Sequence, residues 1–586
     1  MRAPAVWRRI SERPEGRLTS HFFGAMFDFG ILTPAGADSF VHLSLGAIGA
    51  LIALGLRFAL AYAGKYAALS SARSPEPYRV ALLGDDLFLI AFVMVLIALP
   101  TLVVSQSLFP DERDFRILGP LPVRRIVIFR AKLAALFLFM GMFAAVLHLS
   151  LTPLVLSMSV SPFSESTALT RVTVWMIASV SASVFSVLAV TAVVGVLTLV
   201  LSRTRLYSLT ALIKSLVFAL LVVGIPFVFR VPGLGSAMAH ARPWLTFVPP
   251  AWFVGLERAL LGSSDPWLRH LAALALTALA TGALIVAVAY VLLFRHFEHL
   301  LLRPPSISAP WVIGHSAQRR TNVTSGGAAD PHSVERSAFR AVYRFTSTTL
   351  RRSELHQGVL VGLLACGVAL TSSRLVGAGW LDRTGSANPH AAFLEYLAMW
   401  TPFALMFISG LSVRAAIALP MTHRANWIFR LTETDATRSE QMRAVERIVA
   451  GYAVGLPLVA ALPVLWSVIG WKHAAIAMPI VAFVGGVFVH AVLLEWRRIP
   501  FTCSYMPGKR LVVYTVVPGV AAFVLFAAIS VRLVRAALYA TEAAIVIAIG
   551  LLVIAAILRR RRLAEWKETP LLFEDELPDQ PVQLGL

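Results

Sequence analysis

The chain has 586 residues, of which 14% are charged and 58% belong to the set AVILMFWYC, with a mean hydropathy of +0.76. An average soluble chain carries roughly 25% charge, so this composition excludes an ordinary cytosolic enzyme, a disordered regulator and a disulfide-stapled secreted domain. Lys+Arg 52 against Asp+Glu 31 leaves +21, which in so apolar a chain reflects basic cytosolic loops rather than nucleic-acid binding.

Residues 1–39 carry Arg2, Arg8, Arg9, Arg13 and Arg17 with no apolar core behind them. They read as a cytosolic, partly amphipathic lead-in at the membrane surface, not as a cleavable signal. A span needs roughly 20 apolar residues to cross about 30 Å of hydrocarbon. Runs of that length lie near 40–63, 87–107, 133–158, 172–201, 207–229 and 268–294. A second set follows near 357–378, 394–416, 447–470, 474–495, 511–531 and 539–558. The expectation is an all-α polytopic membrane protein of about twelve transmembrane helices.

Basic residues mark every second loop: Arg113 to Lys132, Arg203 and Arg205, Arg295 and Arg303, Arg497 to Arg510, and Arg559 to Arg562. The positive-inside rule then makes both termini cytosolic, in the inner (plasma) membrane. Between the sixth and seventh spans, 303–335 is rich in Pro, Ser and Gly and reads as a flexible linker. After it, Phe339, Val342, Tyr343 and Leu350 stand against Arg340, Arg344, Arg351 and Arg352, predicting a basic amphipathic helix that meets membrane lipid. The organisation is therefore a lead-in at 1–39, a six-helix half at 40–302, linker and amphipathic helix at 303–353, a second six-helix half at 354–558, and a cytosolic tail at 559–586. Phe115, Arg116 and Arg124 reappear at one fixed offset as Phe429, Arg430 and Arg438, a faint echo of a parallel repeat. The halves differ at 230–266, a long external segment with no counterpart at 532–538.

The segment Leu108 to Val123, with Leu121-Pro122, ends in Phe129-Arg130-Ala131-Lys132-Leu133. It resembles the loop between the second and third spans of bacterial ABC exporter permeases, in the twelve-span fused form of the drug- and polysaccharide-exporter-like type. The resemblance implies a coupling helix that docks on a separate ABC ATPase subunit. The chain's own chemistry fits a docking surface, with Phe115 as apolar anchor among Glu112, Arg113, Asp114, Arg116, Arg124 and Arg125. The equivalent loop of the second half holds Arg424, Trp427, Phe429, Arg430 and Arg438 but lacks the Leu-Pro element. A P-loop needs Gly, four residues, then Gly-Lys-Ser/Thr. The nearest approach, Pro507-Gly508-Lys509-Arg510, lacks the first Gly and the hydroxyl. ATP is thus expected on the partner, with no cofactor, metal or catalytic residue in this chain.

Other constellations point elsewhere. Asp85-Asp86 resembles the acidic pairs of membrane glycosyltransferases, which gives a membrane-embedded glycosyl- or lipid-modifying enzyme as the alternative. Carboxylates capping a helix N-terminus explain the pair equally well. His148 and His490 lie within spans, as an ion-coupled secondary transporter would require. His296 and His299 share a helical face without further ligands. The aromatic and basic stretch Trp496 to Tyr505 is suited to packing on a partner or on lipid headgroups.

Overall fold

The computed structural model describes residues 14–27, 37–71, 73–108, 125–159, 161–164, 166–200, 207–301, 331–377, 391–419, 433–494, 496–502 and 512–571. Among these residues every regular element is a helix. Among the described residues nine stretches are long and apolar enough to cross a membrane, or up to ten if one bent pair counts as a span. The chain is a multi-pass membrane protein. Helices dominate for a physical reason: in hydrocarbon the backbone must satisfy its own N–H and C=O groups, and an α-helix does so within one segment. The expected twelve exceeds this count because the helix over the first run is not among the nine, one span is bent, and Thr437–Val492 counts as a single stretch.

The chain divides into two compact units, one of 1–206 and 224–307, the other of 207–223 and 308–586. The first contains α1 (Pro14–Phe27), α2 (Ala37–Ser70), α3 (Glu76–Leu108), α4 (Arg125–Ser159) and α5 (Ala168–Val200). Helix α6 (Tyr207–Val228) runs across the division. The lead-in helix α1 rests on α4, with Phe22 buried against Ala131, Ala135, Leu136 and Phe139, and Lys132 Nζ lying 5.1 Å above the Phe22 ring. The core is built on α3, where Leu87 to Val93 are all buried, as suits a helix apolar all round.

After α6 the chain bends by 70° into a 3-10 turn (Val231–Leu234), α7 (Gly235–Ala239), a second 3-10 turn (Pro243–Phe247) and α8 (Pro249–Leu260). Proline explains the start of both 3-10 turns and of α8, since its fixed φ and missing N–H suit the first helical turn. Helix α9 (Pro266–Leu301) follows, its first turn capped by Asp265 Oδ1 accepting from the Trp267 N–H at 2.9 Å. Two glycines set this segment against α3. A Cβ on Gly84 would stand 2.2 Å from the Pro232 carbonyl oxygen, and one on Gly235 would stand 2.1 Å from that of Val80. Only hydrogen fits at either position.

The second unit holds α10 (Pro331–Arg352), α11 (Glu354–Gly377), α12 (Ala391–Ala418), α13 (Asp435–Ala450), a π-helical turn (Gly451–Gly455), α14 (Leu456–Val492), α15 (Val512–Tyr539) and α16 (Thr541–Glu568). Helix α10 is amphipathic as expected: Val342 and Leu350 are buried, while Arg340, Arg344, Arg351 and Arg352 are exposed. A capping box closes the start of α13, Thr434 and Thr437 exchanging side-chain and backbone hydrogen bonds. Gly470 breaks α14 with a φ of +79°, a conformation that disfavours any side chain. That break separates the expected runs 447–470 and 474–495.

Candidate functional site

Asp85 and Asp86 are neighbours on α3 and both fully buried. Consecutive helical residues project about 100° apart, so the two carboxylates meet different partners. Asp85 faces one turn of α2: its Oδ2 accepts from Lys65 Nζ and from the Tyr66 hydroxyl, each at 2.6 Å, and its Oδ1 from the Tyr62 hydroxyl at 3.3 Å. Residues 62, 65 and 66 share a helical face because they are spaced i, i+3, i+4. The Tyr66 ring stands edge-on to Tyr78 at 5.6 Å, and the Tyr78 hydroxyl donates to the Met158 carbonyl at 2.9 Å.

Asp86 faces α5 and α8. Arg171 Nη2 donates to both its oxygens, at 2.6 and 2.7 Å, and Arg258 Nη2 donates to Oδ2 at 2.5 Å. Arg171 is itself buried, and its Nη2 lies 3.4 Å from Glu257 Oε1. Glu257 is fully buried on α8, and neither of its carboxyl oxygens has a hydrogen-bond partner. Burial, and next the negative charge of Asp86, push the Glu257 carboxyl up to about 7, against the opposing pull of Arg171 and Arg258. Two carboxylates and two guanidiniums thus meet between helices whose neighbouring residues Leu87, Ile90, Phe253 and Leu271 form one buried apolar cluster.

Such a cluster contributes specific geometry more than net stability. Taking charges out of water costs nearly what their attraction returns, but leaving one unpartnered costs about 3–5 kcal/mol. The arrangement therefore locks α8, α5 and α3 in one register.

The helix-capping expectation for Asp85 and Asp86 is corrected: α3 begins at Glu76, so both stand well inside it. Their partners escaped the sequence reading because Arg171 and Arg258 lie 85 and 172 residues away from Asp86. The available signal was the scarcity of charge, since Arg171 and the pair Glu257-Arg258 are among the few ionisable residues beside apolar runs.

The sequence-predicted coupling residues fall mostly elsewhere. Glu112, Arg113, Asp114, Phe115, Arg116, Leu121, Pro122 and Arg124 lie outside the described residues, as do Arg424, Trp427, Phe429 and Arg430. Arg125 opens α4. Arg438 is buried, its Nε donating to Glu433 Oε1 at 2.8 Å and its Nη1 to the Lys567 carbonyl at 3.1 Å. It ties the start of α13 to the end of α16. His148 Nδ1 lies 2.6 Å from the Ala144 carbonyl, with its ring 5.8 Å from Trp175. Among the described residues no group of three His, Cys, Asp or Glu side chains is placed to hold a metal ion. No family matches the sequence, and neither a curated protein nor a solved structure matches the chain.

Proposed function

We propose that the chain is the membrane-spanning permease subunit of an ATP-driven exporter, energised by a separate ABC ATPase subunit. In this reading it has twelve spans in two six-helix halves, with both termini cytosolic in the inner membrane. Adding α2, the bent α6–α7 pair and the second arm of the run broken at Gly470 to the nine stretches gives that number.

The observation that carries a transport role is the ionic cluster. Charges within an apolar helix bundle are costly, and where they are kept they mark pathways and gates. Here Asp86, Arg171 and Arg258 join the irregular segment 231–260 to spanning helices, and irregular backbone persists at such a place only where protein or water satisfies it. The cluster would be the latch of an external cap. Force applied at the cytosolic loops 108–132 and 420–446 would tilt α3 and α5 and release α8, as rigid-body rearrangement about a bistable contact requires.

Asp85 and Asp86 give the enzyme alternative little support, because each carboxylate is already committed to a cation within the chain. One observation does favour ion-coupled transport: the buried Glu257 carboxyl without a hydrogen bond. The deciding experiment is purification in mild detergent, followed by reconstitution in vesicles. An ATPase that co-purifies and is required for substrate movement supports the exporter. Movement driven by a pH gradient alone, without ATP or partner, overturns it in favour of ion coupling.

A further inference from the structure

Within the second unit a cavity of about 470 Å³ opens at the end of α12 and beside the short segment after α14. It falls in the range of roughly 300–1,000 Å³ typical of ligand sites. Its wall combines Arg414, Arg497 and Arg498 with Leu411, Trp496 and Phe501. The reading of the ionic cluster does not use it.

The segment carrying two of these arginines is held firmly. The Phe501 N–H donates to the Ile417 carbonyl at 3.0 Å, and Phe501 is buried edge-on against His356 at 4.5 Å. Phe501 adopts a φ of +65°, rare for a bulky residue and kept only where surrounding contacts dictate it. The Trp566 indole donates to the Trp496 carbonyl at 3.2 Å, and the Trp496 indole to that of Arg498 at 2.7 Å. Glu565 holds the Arg497 guanidinium through Nε and Nη2 at 3.0 and 2.6 Å, and Arg414 Nη1 donates to the Val492 carbonyl at 2.6 Å. The Arg414 and Arg497 guanidiniums are thus fixed before any ligand arrives, which lowers the ordering cost of binding.

One side of the wall is apolar and open. Leu411 is 49% exposed on a helix long and apolar enough to span the membrane, so its face is one that hydrocarbon covers. A site with guanidiniums at the helix end, beside an exposed leucine of the same spanning helix, joins the two chemistries of a phospholipid. Planar guanidinium groups suit phosphate oxygens, and basic pockets beside spanning helices on the cytoplasmic side take anionic headgroups.

We propose that this cavity binds the phosphate headgroup of an anionic phospholipid, with its acyl chains leaving past the exposed Leu411. The topology proposed above makes this the inner leaflet, but the site does not depend on the ATP-driven reading.

The test uses the full chain in mild detergent, with stabilisation against heat as the readout. Phosphatidylglycerol should stabilise the wild type, and phosphatidylcholine should do so much less. Arg414→Gln with Arg498→Gln should weaken the phosphatidylglycerol response about tenfold or more, as loss of charge-assisted hydrogen bonds does. Arg443→Gln, exposed on α13 and away from the cavity wall, should leave it unchanged. A photoreactive phosphatidylglycerol, crosslinked to the wild type and mapped by mass spectrometry, should label 411–418 or 496–501. This arm stands even where the double variant fails to fold. Equal responses to the two lipids, an undiminished response in the folded double variant, or labelling elsewhere would overturn the proposal. So would inorganic phosphate matching the effect of phosphatidylglycerol, which would assign the cavity to a free anion.

Discussion

Arg258 reaches Asp86 across 172 residues of sequence, its Nη2 standing 2.5 Å from Oδ2 of a fully buried carboxylate. The same carboxylate holds Arg171 through both oxygens, so a single side chain on α3 fixes α5 and α8 together. Asp85, one residue away, has the more accessible partner, Lys65, whose side chain is 39% exposed. The adjacent acids therefore carry unequal weight.

Asp86→Asn should lower the stability of the detergent-solubilised protein by up to about 3–5 kcal/mol, because buried Arg171 loses the carboxylate that holds it through both oxygens and keeps only Glu257, 3.4 Å away. Asp85→Asn keeps an acceptor for Tyr66 and loses a pair with a partly exposed lysine, so its cost should be about 1 kcal/mol or less. Thermal unfolding of the two variants side by side checks the ranking. Equal effects would mean that the cluster does not act as a latch.

Glu257 predicts a pH dependence. Burial, and next the charge of Asp86, push its carboxyl up to about 7 from an ordinary value of 4.5 by disfavouring the charged form. A group raised in this way contributes its full stability below the unfolded value, and that contribution fades as pH rises through the folded one. The wild type should therefore become less heat-stable between about pH 4.5 and pH 7. Glu257→Gln, which stays neutral, should remove that part of the slope and be the more stable form at pH 8. The groups facing Glu257 are Asp86 on α3, Arg171 on α5 and Arg258 on its own helix. Identical pH profiles for the two proteins would contradict the assignment.

Gly84→Ala places a methyl where the Pro232 carbonyl oxygen already stands, 2.2 Å from the new Cβ. Backbone cannot yield there as a flexible side chain would. The expected cost is about 1–3 kcal/mol, typical of overpacking, with the segment 231–239 displaced from α3. Faster proteolysis or hydrogen exchange confined to 229–261 would report that displacement. Gly233→Ala, with open space around its Cβ, is the matched control.

The helices were legible in the sequence because apolar runs of spanning length leave few alternatives, and the amphipathic α10 because its apolar positions recur on one face. Asp85 and Asp86 were misplaced for a related reason. Hydropathy begins to rise at Leu87, whereas the helix itself starts at Glu76, so the apolar run understates the helix and puts the acids at its end. The cluster could not be assembled from local spacing, since its members come from α3, α5 and α8 and no short pattern links them. The cavity beside Phe501 was half visible: the basic and aromatic stretch stood out, but the contribution of Arg414 and the left-handed backbone at Phe501 depend on tertiary contacts.

The exporter reading itself turns on the first basic loop, whose resemblance to a coupling element named it. If Phe115 anchors a partner ATPase, Phe115→Ala should cost the interface about 2 kcal/mol or more, as loss of a central anchor does. Arg116→Glu reverses a charge on the same surface and should add a like-charge or unpaired-charge penalty. Together they should release the ATPase while the helices stay inserted, because the loop lies outside the apolar runs that hold the chain in the bilayer. Arg438→Gln provides the contrast. It breaks the internal bonds to Glu433 and to the Lys567 carbonyl, so it should lower thermal stability before it affects partner binding. The measurements are the yield of co-purified ATPase and its substrate-stimulated hydrolysis, each beside a melting curve. Full retention of ATPase binding by the Phe115→Ala, Arg116→Glu protein would remove the loop from the coupling role and leave the ionic cluster as the only support for transport.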